Sequence, residues 1–233
     1  MKILFGLLLA AQDPALVTIQ DAIAKVDGPA GYYTTTYSKQ EHLYWKNIPD
    51  WIRADAASRP VGRVLDIGCG YGTLLGFAAQ VYKADGFCMD VNDYMRPPFY
   101  QPRKLKFAKA NIEIDAIPWT EKFDAIIMTE VLEHFNFYPV PTLVKIREAL
   151  APGGRLYLST PDEKEWGREF KYYKGMADMP MPDRAAKFVD AHIFVYSKVE
   201  VLKLLADAGF RVEKFEYAPG VGRRHFNVVA ASR

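Results

Sequence analysis

The sequence predicts an α/β fold with a mostly parallel sheet of seven strands, one antiparallel strand and helices on both faces. Short apolar runs alternate with stretches of helical periodicity from residue 60 onward, which is the pattern of strands joined by crossover helices. Five strands are expected at 63–67, 86–90, 107–112, 123–128 and, after the Pro-Gly-Gly turn, within 150–158. The clearest helices are expected at 71–83, 139–150 and 197–208. Two further strands, 210–217 and 226–230, are joined by a turn at 219–222 that is too short for parallel pairing.

Length and composition indicate one globular domain. The chain has 233 residues, 50% of them hydrophobic, which is enough to bury a full α/β core. A formal net charge of +2, with no Lys/Arg run longer than two residues, gives no electrostatic case for a nucleic-acid partner. Cys69 and Cys88 form neither a disulfide framework nor a zinc pattern, so they are expected to be reduced thiols in a cytoplasmic protein.

A glycine-rich turn directly follows the first predicted strand. Gly68, Gly70 and Gly72 let the backbone turn sharply and approach a ligand closely, so a side chain at Gly68 is expected to occupy the ligand's place. A dinucleotide fingerprint has its third glycine where this chain has Thr73. Asp66, two residues before the first glycine, would repel a pyrophosphate but suits an ammonium group. The spacing therefore disfavours a dinucleotide oxidoreductase.

Polar residues also end the next predicted strands. Asp90 lies 24 positions after Asp66 at the tip of the second strand, where a carboxylate is well placed to accept both hydroxyls of a ribose. The third strand leads into Asn111, whose carbonyl oxygen suits an exocyclic amine, and into the aliphatic Ile112. The fourth strand opens into the Glu-x-x-Glu-His stretch at 130–134.

Taken in order, these segments resemble the motifs of class I S-adenosylmethionine-dependent methyltransferases that act on small molecules, and they are similar to ubiquinone-biosynthesis O-methyltransferases. The resemblance spans about residues 60–230 and implies a Rossmann-like fold, S-adenosylmethionine as cofactor and S-adenosylhomocysteine as product. It also implies the cofactor-binding set: Asp66, Gly68, Gly70, Asp90, Val91, Asn111, Ile112 and Glu130.

Residues 1–59 are expected to form an N-terminal arm and helical cap, and residues 60–233 the catalytic domain. Residues 1–11 imitate a signal peptide but are too short to span a bilayer, so they are interpreted as an apolar arm that packs on its own domain or in a homodimer. One helix is predicted after Asp13 and a second after a capping box at 38–41. The resemblance implies that the cap closes over the cofactor, with Tyr33 and Tyr37 binding the acceptor.

Residues 161–191 interrupt the alternation of strands and helices. The segment has three prolines, several aromatic residues and no stable period, and long loops in compact domains are usually functional. We interpret it as a lid at the carboxyl ends of the strands, where Trp166 and Tyr172 are expected to contact the acceptor.

A hydroxyl acceptor must lose a proton, and histidine is the usual base. Of the four histidines, His134 follows the fourth strand and is the first candidate, and His192 opens a segment similar to one in small-molecule methyltransferases. A packing role for His134 stays open. No metal is expected. As an alternative, a divalent ion could be bound by Glu130, Glu133, His134 and His192. The stretch at 130–134 also resembles one in methyltransferases of small RNAs, which is consistent with that alternative.

The favoured function is therefore methyl transfer to a small-molecule acceptor, at a hydroxyl oxygen. The alternatives are a metal-assisted RNA 2′-O-methyltransferase, which would need a basic face, and an N-methyltransferase that acts by positioning alone. A non-catalytic module is disfavoured by the intact Asp66, Gly68, Gly70 and Asp90.

Overall fold

The computed structural model describes residues 13–168, 171–218 and 224–233, with the backbone alone at His42. The helices are α1 (Pro14–Asp27), α2 (Tyr32–Thr35), α3 (Glu41–Trp45), α4 (Ile48–Ser58), α5 (Thr73–Tyr82), α6 (Pro97–Tyr100), α7 (Pro139–Ala149), α8 (Glu163–Trp166) and α9 (Lys198–Asp207). The strands are β1 (Arg63–Ile67), β2 (Asp85–Asp90), β3 (Lys106–Lys109), β4 (Phe123–Thr129), β5 (Leu150–Pro161), β6 (Phe210–Tyr217) and β7 (His225–Ser232). Short 3-10 turns occupy Tyr37–Lys39, Gln101–Arg103, Leu132–His134 and Met176–Asp178.

The seven strands form one sheet in the order β3-β2-β1-β4-β5-β7-β6. The first five strands are parallel, whereas β7 runs antiparallel to both of its neighbours, so the predicted reversed strand is confirmed. The strand order reverses between β1 and β4. In an open α/β sheet, the crevice at the carboxyl ends of such a pair is where ligands bind.

Helices cover both faces of the sheet, as predicted. One face packs against apolar residues of α7 and α9, among them Ile146 and Leu204, and the other against residues of α1, α4 and α5, among them Ile19 and Phe77. The carboxylate of Asp13 accepts a hydrogen bond from the backbone N–H of Ala15 at 2.8 Å, which confirms the predicted start of α1.

The capping box predicted at 38–41 is wrong. Ser38 lies in a 3-10 turn, and the carboxylate of Glu41 accepts hydrogen bonds from Gln20 at 2.9 Å and from the Tyr33 hydroxyl at 3.2 Å. The single helix expected here is split into α3 and α4. Pro49 takes the second position of α4, where its missing N–H leaves no intrahelical bond unmade.

The prediction of reduced cysteines is also wrong, because Cys69 and Cys88 form a disulfide. β1 and β2 are parallel neighbours in which Asp66 pairs with Cys88, and the glycine turn folds back after Asp66. The two Cα atoms are thereby brought to 5.8 Å, within the usual range for a disulfide. The pairing depends on the path of the turn, which composition does not reveal.

Two predicted features fall outside the described residues, namely the apolar arm at 1–11 and the turn at 219–222. Among the helices that the structure describes, none is both long and apolar enough to cross a bilayer.

Candidate active site

A cavity of about 340 Å³ lies at the carboxyl ends of the parallel strands. Loops that follow β1, β2, β3 and β4 form its walls, and the cap and the end of the 161–191 insert complete them. It is lined by Tyr37, Ile67, Gly68, Gly70, Met89, Asp90, Val91, Asn92, Tyr94, Ala110, Asn111, Ile112, Glu113, Val131, His134, Phe135, Phe188 and Asp190. Six of the eight residues predicted to bind the cofactor are in this set.

The glycine turn has the backbone conformation that its sequence requires. Gly68, Gly70 and Gly72 have φ angles of 70°, 53° and 87°, in the left-handed region that favours glycine. A Cβ on Gly68 would collide with Cγ2 of Val131, which also lines the cavity, so a side chain there would meet the protein before any ligand. A Cβ on Gly70 would meet no protein atom within 4 Å, and Gly70 lines the cavity.

Asp90 links the tip of β2 to the glycine turn. Its two carboxylate oxygens accept hydrogen bonds from the backbone N–H groups of Gly70, at 2.9 Å, and Asn92, at 2.8 Å. Burial raises the pKa of this carboxyl above its usual range. Each oxygen keeps a further lone pair, so Asp90 can still accept two ribose hydroxyls.

Asp66 lies beneath the cavity instead of lining it. The residue is 2% exposed, and its Oδ1 has no hydrogen-bond partner among the described residues. Burial, and then the charge of Asp90, raise its pKa well above the usual range. An unpartnered buried carboxylate oxygen is costly, and a ligand ammonium group would offset that cost.

The loop after β3 contributes Asn111 and Ile112, as predicted. Asn111 Oδ1 accepts a hydrogen bond from the Glu113 backbone at 2.9 Å, and Ile112 is 5% exposed. Sequence reasoning missed Glu113, a buried cavity residue whose carboxylate accepts hydrogen bonds from the backbone of Asn136 and Phe137. Burial raises the pKa of Glu113 to about 7. An acid placed between Ile112 and Ile114 was the only signal available.

Glu130 does not line the cavity. Its carboxylate accepts a hydrogen bond from the Ser159 hydroxyl at 2.6 Å and lies 2.8 Å from Nδ1 of His225. Glu130 also has a φ of 56°, which is uncommon for a residue with a side chain. With Asp66, it is one of the two predicted cofactor-binding residues that do not line the cavity.

The two predicted catalytic histidines are brought together. Their ring centroids are 4.9 Å apart, and Nδ1 of His134 lies 3.4 Å from a carboxylate oxygen of Asp190. Burial, and then the charge of His192, lower the pKa of His134 to about 4. Glu133, His134 and His192 each offer a ligand atom within 4.8 Å of the others, so they could hold a metal ion. Glu130 is not part of that group.

The predicted acceptor residues are divided between the cavity and its surroundings. Tyr37 lines the cavity, whereas Tyr33 is fully buried, with its hydroxyl bonded to Glu41 and Thr73. Trp166 packs against His192 and His225, with ring centroids 6.0 and 5.2 Å away. Tyr172 lies outside the lining, and Lys171 is placed over its ring.

The end of the 161–191 insert reaches the cavity. Phe188 and Asp190 are lining residues, and the backbone N–H of Val189 donates to the side chain of Asn136 at 2.9 Å. The insert therefore contributes to the same cavity as the strand tips, as its expected position at the carboxyl ends of the strands requires, but through Phe188 and Asp190 and not through Trp166 or Tyr172.

Comparisons with known proteins identify the family. A family profile described as a methyltransferase domain matches residues 40–214. (S)-Coclaurine N-methyltransferase of Thalictrum flavum subsp. glaucum is 28% identical over 50% of this chain and 37% of its own length. The mitochondrial ubiquinone biosynthesis O-methyltransferase of Candida albicans is 37% identical over 42% of this chain and 32% of its own length. The matched segments thus span about a third of these relatives.

The solved structures include a similar fold with a bound cofactor product. The 1,6-didemethyltoxoflavin-N1-methyltransferase of Burkholderia thailandensis, which contains S-adenosylhomocysteine, has a TM-score of 0.63 over 96% of this chain and 93% of its own. Its sequence identity is 16%, so the likeness is one of fold. S-adenosylmethionine is the cofactor, and the predicted glycine turn and strand tips line the cavity at the carboxyl ends of the strands. The chain belongs to the methyltransferase domain family and is a class I S-adenosylmethionine-dependent methyltransferase.

Proposed function

We propose that this enzyme methylates a hydroxyl oxygen of a small-molecule acceptor and that His134 takes the acceptor's proton. The observation that carries the proposal is the position of His134, which lines the cofactor cavity and packs against His192 beside Asp190. A base must lie within reach of the proton that it removes, and this is the histidine that borders the cavity in the described residues.

The cofactor supplies an activated methyl group on a sulfonium, so the protein mainly aligns the acceptor with it. We assign the ammonium group to Asp66, the ribose to Asp90, and the adenine to Asn111 and Ile112. Gly68, Gly70 and Val91 leave the space in which these groups lie. The unpartnered Oδ1 of Asp66 and the free lone pairs of Asp90 support this assignment.

Burial keeps His134 in the neutral form that a base needs, and the same shift makes its ring a weaker base than an ordinary histidine. With a pKa of about 4, the ring is neutral at pH 7 and ready to accept a proton. Asp190 beside Nδ1 favours a proton on that nitrogen, which leaves Nε2 as the acceptor. We assign His192 to the positioning of this ring, as the second member of the pair.

A small molecule is the acceptor that the charge and the walls of the site favour. The net charge of +2 gives no electrostatic case for RNA, and we therefore propose no nucleic-acid partner. Residues 1–59 as cap and 161–191 as lid would enclose the acceptor, with Tyr37 and Trp166 as contacts. A cytoplasmic location remains a prediction, and the Cys69–Cys88 disulfide argues against it, because the cytosol reduces most disulfides.

A metal-assisted reaction is the second candidate. Glu133, His134 and His192 are close enough to share a divalent ion, and Oε1 of the fully buried Glu133 has no described hydrogen-bond partner. These residues fit such an ion, which would polarise an acceptor hydroxyl. Methylation of nitrogen by positioning alone is the other alternative, since the similar proteins include both N- and O-methyltransferases.

The test is to incubate the protein with methyl-labelled S-adenosylmethionine and a protein-free metabolite extract, and then to isolate the labelled product. We expect a labelled small molecule with its methyl group on oxygen. A product with the methyl on nitrogen would move the proposal to N-methylation, and a lack of label in any metabolite would refute a small-molecule acceptor. Label transfer that a chelator stops and added metal restores would favour the metal-assisted reaction.

A further inference from the structure

Asn136 lies on the loop after β4 and attaches the end of the 161–191 insert to that loop. The residue is 6% exposed. Its Oδ1 accepts a hydrogen bond from the backbone N–H of Val189 at 2.9 Å, and its Nδ2 donates to the carbonyl oxygen of the same residue at 3.0 Å. Opposite residues of two antiparallel strands exchange the same pair of bonds, which a side chain makes here. The insert is therefore paired with the loop although neither segment is a strand.

The same side-chain amide also holds the turn that carries His134. Nδ2 of Asn136 donates a second hydrogen bond, to the carbonyl oxygen of His134, at 3.0 Å. Both protons of the amide and its oxygen are thus used. A carboxylate of the same shape would face two carbonyl oxygens with no proton to offer them. This position therefore requires an amide and not merely a side chain of that size.

The backbone of Asn136 is held from two further directions. Its N–H donates to the buried carboxylate of Glu113 at 3.0 Å, and its carbonyl oxygen accepts a hydrogen bond from the Tyr173 hydroxyl at 3.0 Å. Glu113 belongs to the loop after β3 and lines the cavity, whereas Tyr173 lies in the middle of the insert. Asn136 therefore joins the loop after β3, the loop after β4 and two parts of the insert.

The residue after Val189 reaches the candidate base. Oδ1 of Asp190 lies 3.4 Å from Nδ1 of His134, and its Oδ2 accepts a hydrogen bond from the side chain of Asn92 at 3.2 Å. Asn92 belongs to the loop after β2, so Asp190 contacts two loops of the cavity wall, and Phe188 lines the same cavity. Half of the Asp190 side chain is exposed, so packing alone holds it weakly. Its position depends on the attachment of its neighbour Val189.

We propose that Asn136 is a positioning residue that docks the insert on the loop of His134, and that this docking sets Asp190 beside the base and completes the wall of the cavity. The inference rests on the proposed function, since it assigns a role in the same reaction. With the insert docked, Asp190 favours a proton on Nδ1 of His134 and leaves Nε2 to accept the acceptor's proton. With the insert undocked, the ring loses this partner, and its two neutral tautomers compete.

Two substitutions at position 136 separate docking from packing. Asn136→Ala removes all three hydrogen bonds of the side chain. Asn136→Asp keeps the shape of the side chain and an oxygen for the Val189 N–H, but it offers no proton to the two carbonyl oxygens. A role in packing alone predicts a native-like Asp variant, whereas the docking role predicts that both variants are impaired. Gln101→Ala, which removes an exposed amide outside the cavity lining, is the control.

The first measurement is residue-resolved hydrogen exchange of the protein saturated with S-adenosylhomocysteine. We expect the Val189 amide to be protected in the native protein and to exchange about tenfold to a hundredfold faster in Asn136→Ala, because one hydrogen bond typically changes an equilibrium by about fivefold. It should also exchange faster in Asn136→Asp, while the amides of β1 keep their native rates. An unprotected Val189 amide in the native protein, or equal exchange in native and Asn136→Ala, would overturn the docking.

The second measurement is a double-mutant cycle with Asp190→Ala, on the maximal rate of methyl transfer from labelled S-adenosylmethionine into the protein-free metabolite extract. We expect Asn136→Ala to lower this rate by about tenfold or more in the native background and by less than about threefold in the Asp190→Ala background, since the effect acts through Asp190. S-adenosylhomocysteine affinity in calorimetry should stay within about threefold of native. Equal losses of rate in both backgrounds would show that Asn136 only supports the fold, and would overturn its positioning role.

Tyr173→Phe carries the test if Asn136→Ala does not fold, because it keeps the ring and removes only the hydroxyl that donates to Asn136. We expect faster exchange at Val189 and a rate lowered by about fivefold, a loss that Asp190→Ala should abolish. Native values in both measurements would overturn the docking. A native enzyme that labels no metabolite would refute the proposed function and the role in catalysis with it, whereas hydrogen exchange would still decide whether Asn136 docks the insert.

Discussion

The backbone N–H of Gly70 donates a hydrogen bond to Oδ2 of Asp90 at 2.9 Å. This contact joins the two parts of the cofactor site that the sequence separates by twenty residues, the glycine turn after β1 and the acid at the tip of β2. The Cys69–Cys88 disulfide joins the same two segments. The carboxylate therefore supports the turn, and changes at Asp90 are expected to affect the turn as well as the proposed contact with the ribose.

The first prediction concerns Asp90. Asp90→Ala removes the proposed ribose acceptor and the partner of Gly70, so S-adenosylhomocysteine affinity should fall by about tenfold to a hundredfold in calorimetry. Asp90→Asn keeps one carbonyl oxygen and should lose less. Asp85→Ala, at the exposed opposite end of β2, is the control and should bind as the native protein does. Equal affinity for native and Asp90→Ala would contradict the ribose assignment.

The second prediction distinguishes two glycines of the turn. Gly68→Ala should unfold at a distinctly lower temperature, because its Cβ would collide with Val131. The Cβ added by Gly70→Ala would meet no protein atom within 4 Å. The free energy of unfolding should therefore fall only by the roughly 1 kcal/mol that a left-handed backbone costs a residue with a side chain. Because Gly70 lines the cavity, the variant should bind S-adenosylhomocysteine more weakly. Thermal unfolding and calorimetry on both variants check this. Native affinity in a folded Gly70→Ala would show that the ligand does not approach this position.

Features that depend on apolar periodicity or on the spacing of residues along the chain were predictable from the sequence. The strands begin or end within a few residues of their expected positions, because apolar periodicity reflects which residues are buried. The spacing of the glycines and acids also predicted where the cavity lies. The Glu41 contacts and the disulfide were not predictable, because each depends on residues that meet only after the chain has folded. The same holds for Phe188 and Asp190, which reach the cavity through a loop without a period.

The third prediction tests the disulfide. Thiol titration of the unfolded, unreduced protein should detect no free thiol, and reduction should expose two. A bond that closes a loop of sequence separation 19 stabilises a fold by about 3 kcal/mol in the chain-entropy account, so reduction should lower the unfolding temperature. The double variant Cys69→Ala/Cys88→Ala is the control, since reductant should not change its stability. Two reactive thiols before reduction would contradict the bond.

The fourth prediction concerns the pH dependence of stability through Glu41, which is 2% exposed. Burial raises the pKa of Glu41 to about 7, and this effect outweighs the hydrogen bonds from Thr73, Gln20 and Tyr33, which lower the pKa. In the unfolded chain the carboxyl ionises near pH 4.5, so its contribution to stability is present below that pH and is lost as pH rises towards 7. The loss is on the order of 3 kcal/mol.

Glu41→Gln removes this titration while keeping an oxygen for the Tyr33 hydroxyl. Its free energy of unfolding, measured with denaturant from pH 5 to pH 8, should therefore decline less with pH than that of the native protein. The exposed Glu121→Gln should follow the native curve. Parallel curves for native and Glu41→Gln would show that Glu41 is ionised in the folded protein throughout this range.

The last prediction concerns His134 as the base. General base catalysis contributes about 10²–10⁴-fold, so His134→Ala should lower turnover by that factor while S-adenosylhomocysteine affinity stays near native. Because the pKa of His134 is lowered to about 4, the native rate should stay level from neutral pH down to about 5 and fall only as the ring gains a proton below that. An amine acceptor would give a different profile, since it loses reactivity as soon as the pH falls below its own, higher pKa.

A His134→Ala enzyme within threefold of native turnover would mean that alignment alone carries the reaction. Loss of activity in a chelator, restored by a divalent metal, would instead make His134 a ligand together with Glu133 and His192.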